Sequence, residues 1–165
     1  MKVRVIPVAA VMLLSLLVGG SGCGEDASVP STEAPAATSN LPDGATSADE
    51  VWRFAAGGPI ESSAAVSGGT VYVGCADHYV YALDAVSGEE IWRFGTGGKV
   101  DSSPVEVEGS VYVGGLDHSV YAIDAATGGE RWRFETGGRV RSSPEVWGGM
   151  VYVGGFDTHL YAIDA

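Results

Sequence analysis

Three Asp-His pairs recur along the chain: Asp77-His78, Asp117-His118, and Asp157 followed by Thr158 and His159. Carboxylates and imidazoles that converge can hold a metal ion or relay a proton. The spacing argues against convergence. The pairs fall in equivalent turns 40 residues apart, and His159 is displaced by one position. Asp favours such turns because its carboxylate bonds its own backbone. Turn chemistry is therefore expected, with no metal. Glu61, Asp101 and Arg141 form a second set, sharing one repeat position with different charges. Constant positions build a repeat; variable ones carry contact specificity or drift. Cys75 replaces Gly115 and Gly155 of the later copies. A small buried thiol is expected there, since no neighbouring group would activate it. No catalytic residue is assigned.

These groups are positioned by a repeat. Trp52-Arg53-Phe54 returns as Trp92-Arg93-Phe94 and Trp132-Arg133-Phe134, and Val71-Tyr72-Val73-Gly74 returns at 111–114 and 151–154. Tyr81-Ala82-Leu83-Asp84-Ala85 returns, with Ile for Leu, at 121–125 and 161–165. A period of this length marks stacked supersecondary units, each too small to bury a core alone. The middle copy reads as strands over Pro104–Val107, Val111–Gly114, Ser119–Ile123 and Arg131–Phe134, joined by turns. Their Val, Tyr, Ile and Trp content suits a pleated, half-buried surface. The expectation is an all-β fold: a partial propeller of about three four-stranded antiparallel blades. The repeats are taken as 51–90, 91–130 and 131–165.

Trp52, Trp92 and Trp132 are read as architectural, because a flat aromatic fills the wedge between twisted sheets. Burying one removes about 150–250 Å² from water, an upper bound of roughly 4–6 kcal/mol. Asp84 and Asp124 are expected to cap the turns that follow them. Trp147 has no counterpart at Ser67 or Val107, so it is a candidate partner contact, together with Glu61, Asp101 and Arg141.

Ala122-x-Asp124-x-x-Thr127-Gly128-x-x-x-Trp132 resembles the tryptophan-docking signature of PQQ-like (pyrroloquinoline-quinone-type) propeller repeats. Ala82-x-Asp84-x-x-Ser87-Gly88-x-x-x-Trp92 resembles it with serine for threonine. The resemblance covers 51–165 and implies that Trp52, Trp92 and Trp132 pack between blades, with Asp84, Asp124, Gly88 and Gly128 as further blade-docking positions.

The segment before the repeats has a different character. Lys2 and Arg4 precede an apolar run from Val5 to Val18, then small residues lead into Cys23. The run is short for a membrane span and suits an export signal over 1–22. The placement of Cys23 resembles a bacterial lipoprotein signal and implies a diacylglyceryl anchor on its thiol. Gly20 departs from that pattern, which usually has an apolar residue there. Residues 23–50 read as the anchor and a disordered linker, rich in Ala, Ser, Thr and Pro and without aromatics. The chain of 165 residues has a net charge of −12. Without 1–22 it keeps seven basic against 21 acidic residues, or −14, which repels nucleic acid.

Three functions stay open. The first is a non-catalytic, membrane-tethered extracytoplasmic binding or scaffold protein, as the resemblance to BamB-like lipoproteins implies. It would work with protein partners or with itself, at the periplasmic or cell-surface side of a membrane. The second is a fragment of a PQQ-dependent quinoprotein dehydrogenase. Such enzymes hold PQQ beside a calcium ion, often with vicinal cysteines; here Asn40 is the sole asparagine and no Cys-Cys exists, so no cofactor is expected. The third is an extracytoplasmic sensor module. Residues 91–125 match 131–165 at 22 of 35 positions, a uniformity that suits a stacked surface more than one asymmetric site. Three blades are too few to close a ring alone. Val51–Phe54 has an outer-strand sequence at the opposite end from the last blade. A truncated product, or two chains exchanging 51–54, are the two expectations that follow.

Overall fold

The computed structural model describes residues 49–165. The expected export signal over 1–22, the Cys23 anchor and nearly all of the 23–50 linker lie outside these residues. Unit by unit, the chain delivers the expected strands. The first sheet is β1 (Ala65–Ser67), β2 (Thr70–Gly74), β3 (Tyr79–Asp84) and β4 (Glu90–Gly95). The second is β5 (Val105–Val107), β6 (Ser110–Gly114), β7 (Ser119–Asp124) and β8 (Glu130–Glu135). The third holds β9 (Glu145–Trp147), β10 (Met150–Gly154) and β11 (Leu160–Asp164). Each is an antiparallel meander with its strands in chain order. The architecture is a partial β-propeller, all-β across the described residues.

Hairpin chemistry sets the registers. Gly68-Gly69, Glu108-Gly109 and Gly148-Gly149 all have positive φ, as tight two-residue turns between twisted strands require. Glu108 is the one side-chain-bearing member, at φ 50°, and Glu106 Oε1 accepts the Gly109 N–H beside it at 2.7 Å. Tyr112 then pairs with Ala122, and Ala122 with Trp132; the first sheet repeats this as Tyr72, Ala82 and Trp92. Both sheets carry a register shift after that alanine.

Burial follows from stacking. In β6 every residue is buried, and in β7 all but Asp124, because the second sheet is covered on both faces. One face packs Val111, Val113 and Ile123 against Tyr72, Val80 and Ala82 of the first sheet. The other packs Tyr112 and Ala122 against Val151 and Ile163 of the third. In β11 exposed and half-buried residues alternate, because only one face of the third sheet is covered. Val51–Phe54 joins no ladder. Its Trp52 and Phe54, with Ala56, lie on Val73, Tyr81 and Leu83 of the first sheet.

Candidate functional site

The constant residues of the repeat are consumed in joining one sheet to the next. Trp52 donates its indole N–H to the Ala85 carbonyl at 3.1 Å, and Trp92 donates to Ala125 at 2.9 Å, across each junction. Gly88 (φ 75°) and Gly128 (φ 72°) pass directly over the rings. A methyl at Gly88 would lie 2.6 Å from the Trp52 indole, and one at Gly128 would lie 2.8 Å from that of Trp92. These glycines therefore serve both the left-handed turn and the close approach. Trp132 occupies the corresponding place at the second junction, half-buried against Tyr112 and the third sheet.

Asp84 Oδ1 accepts the N–H groups of Val86 and Ser87 and the Ser87 hydroxyl. Asp124 does the same with Ala126 and Thr127 and also takes a 2.7 Å bond from Arg131. The Arg131 guanidinium and the Thr127 donors hold Asp124 down at about 2. The backbone N–H groups of Ser87 and Val86 lower Asp84 in the same direction.

The Asp-His turns hold no metal cluster; among the described residues no three His, Cys, Asp or Glu side chains are placed to bind one. Each aspartate instead receives a tyrosine hydroxyl four residues on, in the pairs Asp77–Tyr81, Asp117–Tyr121 and Asp157–Tyr161. Asp77 and Asp117 also accept the N–H of Gly57 and Gly97, at 2.8 and 2.6 Å, which pins the incoming crossing segment. Burial pushes Asp77 up, but the Tyr81 hydroxyl, the Cys75 thiol and the Gly57 N–H outweigh it and leave it low. Tyr81 answers with a rise to about 12, from burial and from donating to that carboxylate. Sequence reasoning found the aspartates and missed the tyrosines; the constant Asp-x-x-x-Tyr spacing was the available signal. His78 and His118 take φ 75° and 70°, and Thr158 takes the same place at 71°. The apparent displacement of His159 is thus a substitution at the left-handed position. Cys75 is buried, its thiol directed at the Gly58 and Pro59 carbonyls, and burial raises its pKa.

Serines form a second line of joints. Ser102 Oγ both accepts from Gly114 N and donates to Gly114 O at 2.8 Å, while fully buried. Ser62 and Ser142 do the same with Gly74 and Gly154. Ser103 Oγ accepts the Ser63 N–H, and Ser143 Oγ the Ser103 N–H, each at 2.9 Å across a junction.

The variable set does converge. Arg141 lies 3.5 Å from Asp101 and 3.9 Å from Glu61, so one guanidinium spans all three repeats. Asp101 is nearly buried beneath it, while Glu61 and Arg141 are more than half exposed. With Arg141 between them, this carboxylate pair does not fit the calcium ion that accompanies PQQ.

Trp147 is 76% exposed. It stands on the rim of a groove of about 640 Å³ between the second and third sheets, also lined by Val107, Tyr112, Arg131, Trp132 and Val146. A smaller groove of about 260 Å³, lined by Tyr72 and Glu106, marks the first junction. The Trp147 indole thus lies exposed beside both apolar and charged side chains of this groove.

Solved structures with this arrangement include BamB from Moraxella catarrhalis, 24% identical, with a TM-score of 0.60 over 69% of this chain and 36% of that one. They also include quinohemoprotein alcohol dehydrogenase ADHIIG from Pseudomonas putida HK5, 27% identical, TM-score 0.62, covering 69% of this chain and 20% of that one. The quinohemoprotein alcohol dehydrogenase from Comamonas testosteroni is 28% identical, TM-score 0.58, with 66% and 20% covered. The chain thus spans about a third of the first and a fifth of the others. No curated protein sequence matches it significantly. The family model described as outer membrane protein assembly factor BamB matches residues 43–119 and 76–165. With PQQ-like repeats joined as seen here, the chain belongs to that family.

Proposed function

We propose that the chain is a non-catalytic binding or scaffold protein, exported and held at the extracytoplasmic side of a membrane by lipid on Cys23. Its partners are proteins, and the family membership supports a part in outer-membrane protein assembly. The observation that carries this reading is Trp147, an exposed indole on the groove between the second and third sheets, at a position that is Ser67 and Val107 in the other copies. Most of the surrounding constant polar groups are engaged in joints between repeats, which leaves variable side chains to make contacts. A short-range photo-crosslinker in place of Trp147 tests it in cells that export the protein. A discrete protein adduct is expected there and not with the crosslinker at Ala126. Equal labelling at both positions would defeat the reading.

The likeness to quinohemoprotein alcohol dehydrogenases supports a second reading, a fragment of a quinoprotein. PQQ-dependent dye reduction by the purified chain with calcium would favour it over the first.

A further inference from the structure

We propose that the groove at the first junction binds a small primary amine in its ammonium form, with Glu106 as the counter-charge. The two sheets that form this groove each have all four strands. Its lining includes Ser67 and Thr70 on either side of the β1–β2 turn, Tyr72 from β2, Glu106 from β5, and Ala125 and Ala126 from the turn after β7. Its volume is about 260 Å³. That is below the about 300–1,000 Å³ usual for a drug-sized ligand, so it suits a short chain ending in one charged group. The polar lining is particular to this junction. The corresponding groove at the second junction has Val107 in the place of Ser67 and Val146 in the place of Glu106.

Glu106 is half-buried, and among the described residues no Lys, Arg or His forms an ion pair with it. A carboxylate drawn out of water without a counter-charge is costly, and a bound cation relieves that cost. Glu61 and Asp101 differ in this respect, since Arg141 already lies between them. One oxygen of Glu106 is engaged, because Oε1 accepts the Gly109 N–H at 2.7 Å. That disfavours the two-pronged fit of a guanidinium and suits the point charge of an ammonium. An ammonium has three donors and no acceptor. The hydroxyl-bearing side chains of Ser67, Thr70 and Tyr72 line the same groove and supply further acceptors. Burial raises the Tyr72 pKa, the Thr70 hydroxyl draws it back, and the Glu106 charge adds to the rise. Both groups are therefore within electrostatic reach of the Tyr72 hydroxyl. The net charge of −12 adds a general attraction for cations.

The full chain, isotopically labelled, exported and extracted in mild detergent, is titrated with n-butylamine hydrochloride at neutral pH and constant ionic strength. Amide resonances report the site. Saturable shifts centred on Gly68, Thr70, Glu106 and Ala126 are expected. Glu106→Gln keeps an acceptor for the Gly109 N–H and should weaken binding at least about tenfold, as loss of a hydrogen bond to a charged group does. Glu145→Gln, at an exposed carboxylate on β9, should leave binding unchanged. Butanol, which is neutral, and tetramethylammonium, which has no donor, should not saturate the same resonances. Shifts that spread evenly over the acidic surface, survive Glu106→Gln, or appear equally with butanol or tetramethylammonium would overturn the proposal. So would a protein adduct from a crosslinker at Ala126, which would give the groove to the lysine of a partner instead of a free amine.

Discussion

The indole of Trp92 and the carbonyl of Ala125 meet at 2.9 Å across the first junction, 33 residues apart in the chain. Trp92 also lies under Gly128 and beside Tyr72, 5.8 Å between ring centroids. One side chain therefore joins its own sheet to the turn of the next. Trp92→Ala is expected to cost about 3–5 kcal/mol, the usual range for emptying a buried aromatic site. Trp147→Ala, at an exposed position, should stay within about 0.5 kcal/mol of the parent. Urea unfolding of both variants measures the contrast, and equal costs would contradict the assigned roles.

Gly128 and Gly148 separate two demands on glycine. Both have positive φ, but a methyl at Gly148 meets nothing within 4 Å, whereas at Gly128 it would strike Trp92. Gly148→Ala should cost about 1–2 kcal/mol for left-handed backbone alone. Gly128→Ala should cost at least about 1 kcal/mol more, because the indole must move. Its tryptophan emission should also shift to the red, which Gly148→Ala should not cause.

Ser102 holds both backbone groups of Gly114 in a fully buried site, while the equivalent Ser142 on Gly154 is exposed. Removing the hydroxyl strands buried groups in the first case and wets them in the second. Ser102→Ala should cost about 1–3 kcal/mol more than Ser142→Ala. Amide exchange at Gly114 should quicken accordingly.

Stability should fall at both ends of the pH scale, for identifiable reasons. Asp124 titrates at about 2 in the folded chain against an ordinary 3.8. Between those values the unfolded state binds more protons, so stability is fully present above 3.8 and is lost as pH falls toward 2. Asp84, Asp77 and Asp157 are shifted in the same direction. Tyr81 is raised from 10.0 to about 12, so its share is intact below 10.0 and lost as pH climbs to 12. Asp124→Asn should flatten the acid limb and Tyr81→Phe the alkaline limb of midpoint temperature against pH. Unchanged limbs would show that these bonds do not set the pH range.

Much of this was written in the sequence because the repeat is short and its contacts are periodic. A fixed interval, tight-turn glycines and alternating β-formers determine strand order and register locally, so the four strands from Pro104 to Phe134 were legible within a residue or so. The docking of Trp52 and Trp92 was legible too, since the same residues recur wherever the same wedge must be filled. Other relationships depend on distance between repeats, which no local pattern encodes. Tyr81 bonds Asp77 because the hairpin between them folds the ring back over the turn. Glu61, Asp101 and Arg141 look like unrelated charges 40 residues apart. They form one ion-pair group because stacked sheets set equivalent positions side by side. Likewise Val80, Val120 and Leu160 are near-identical choices in sequence. Only the presence or absence of a neighbouring sheet decides that the first two are core and the third is surface.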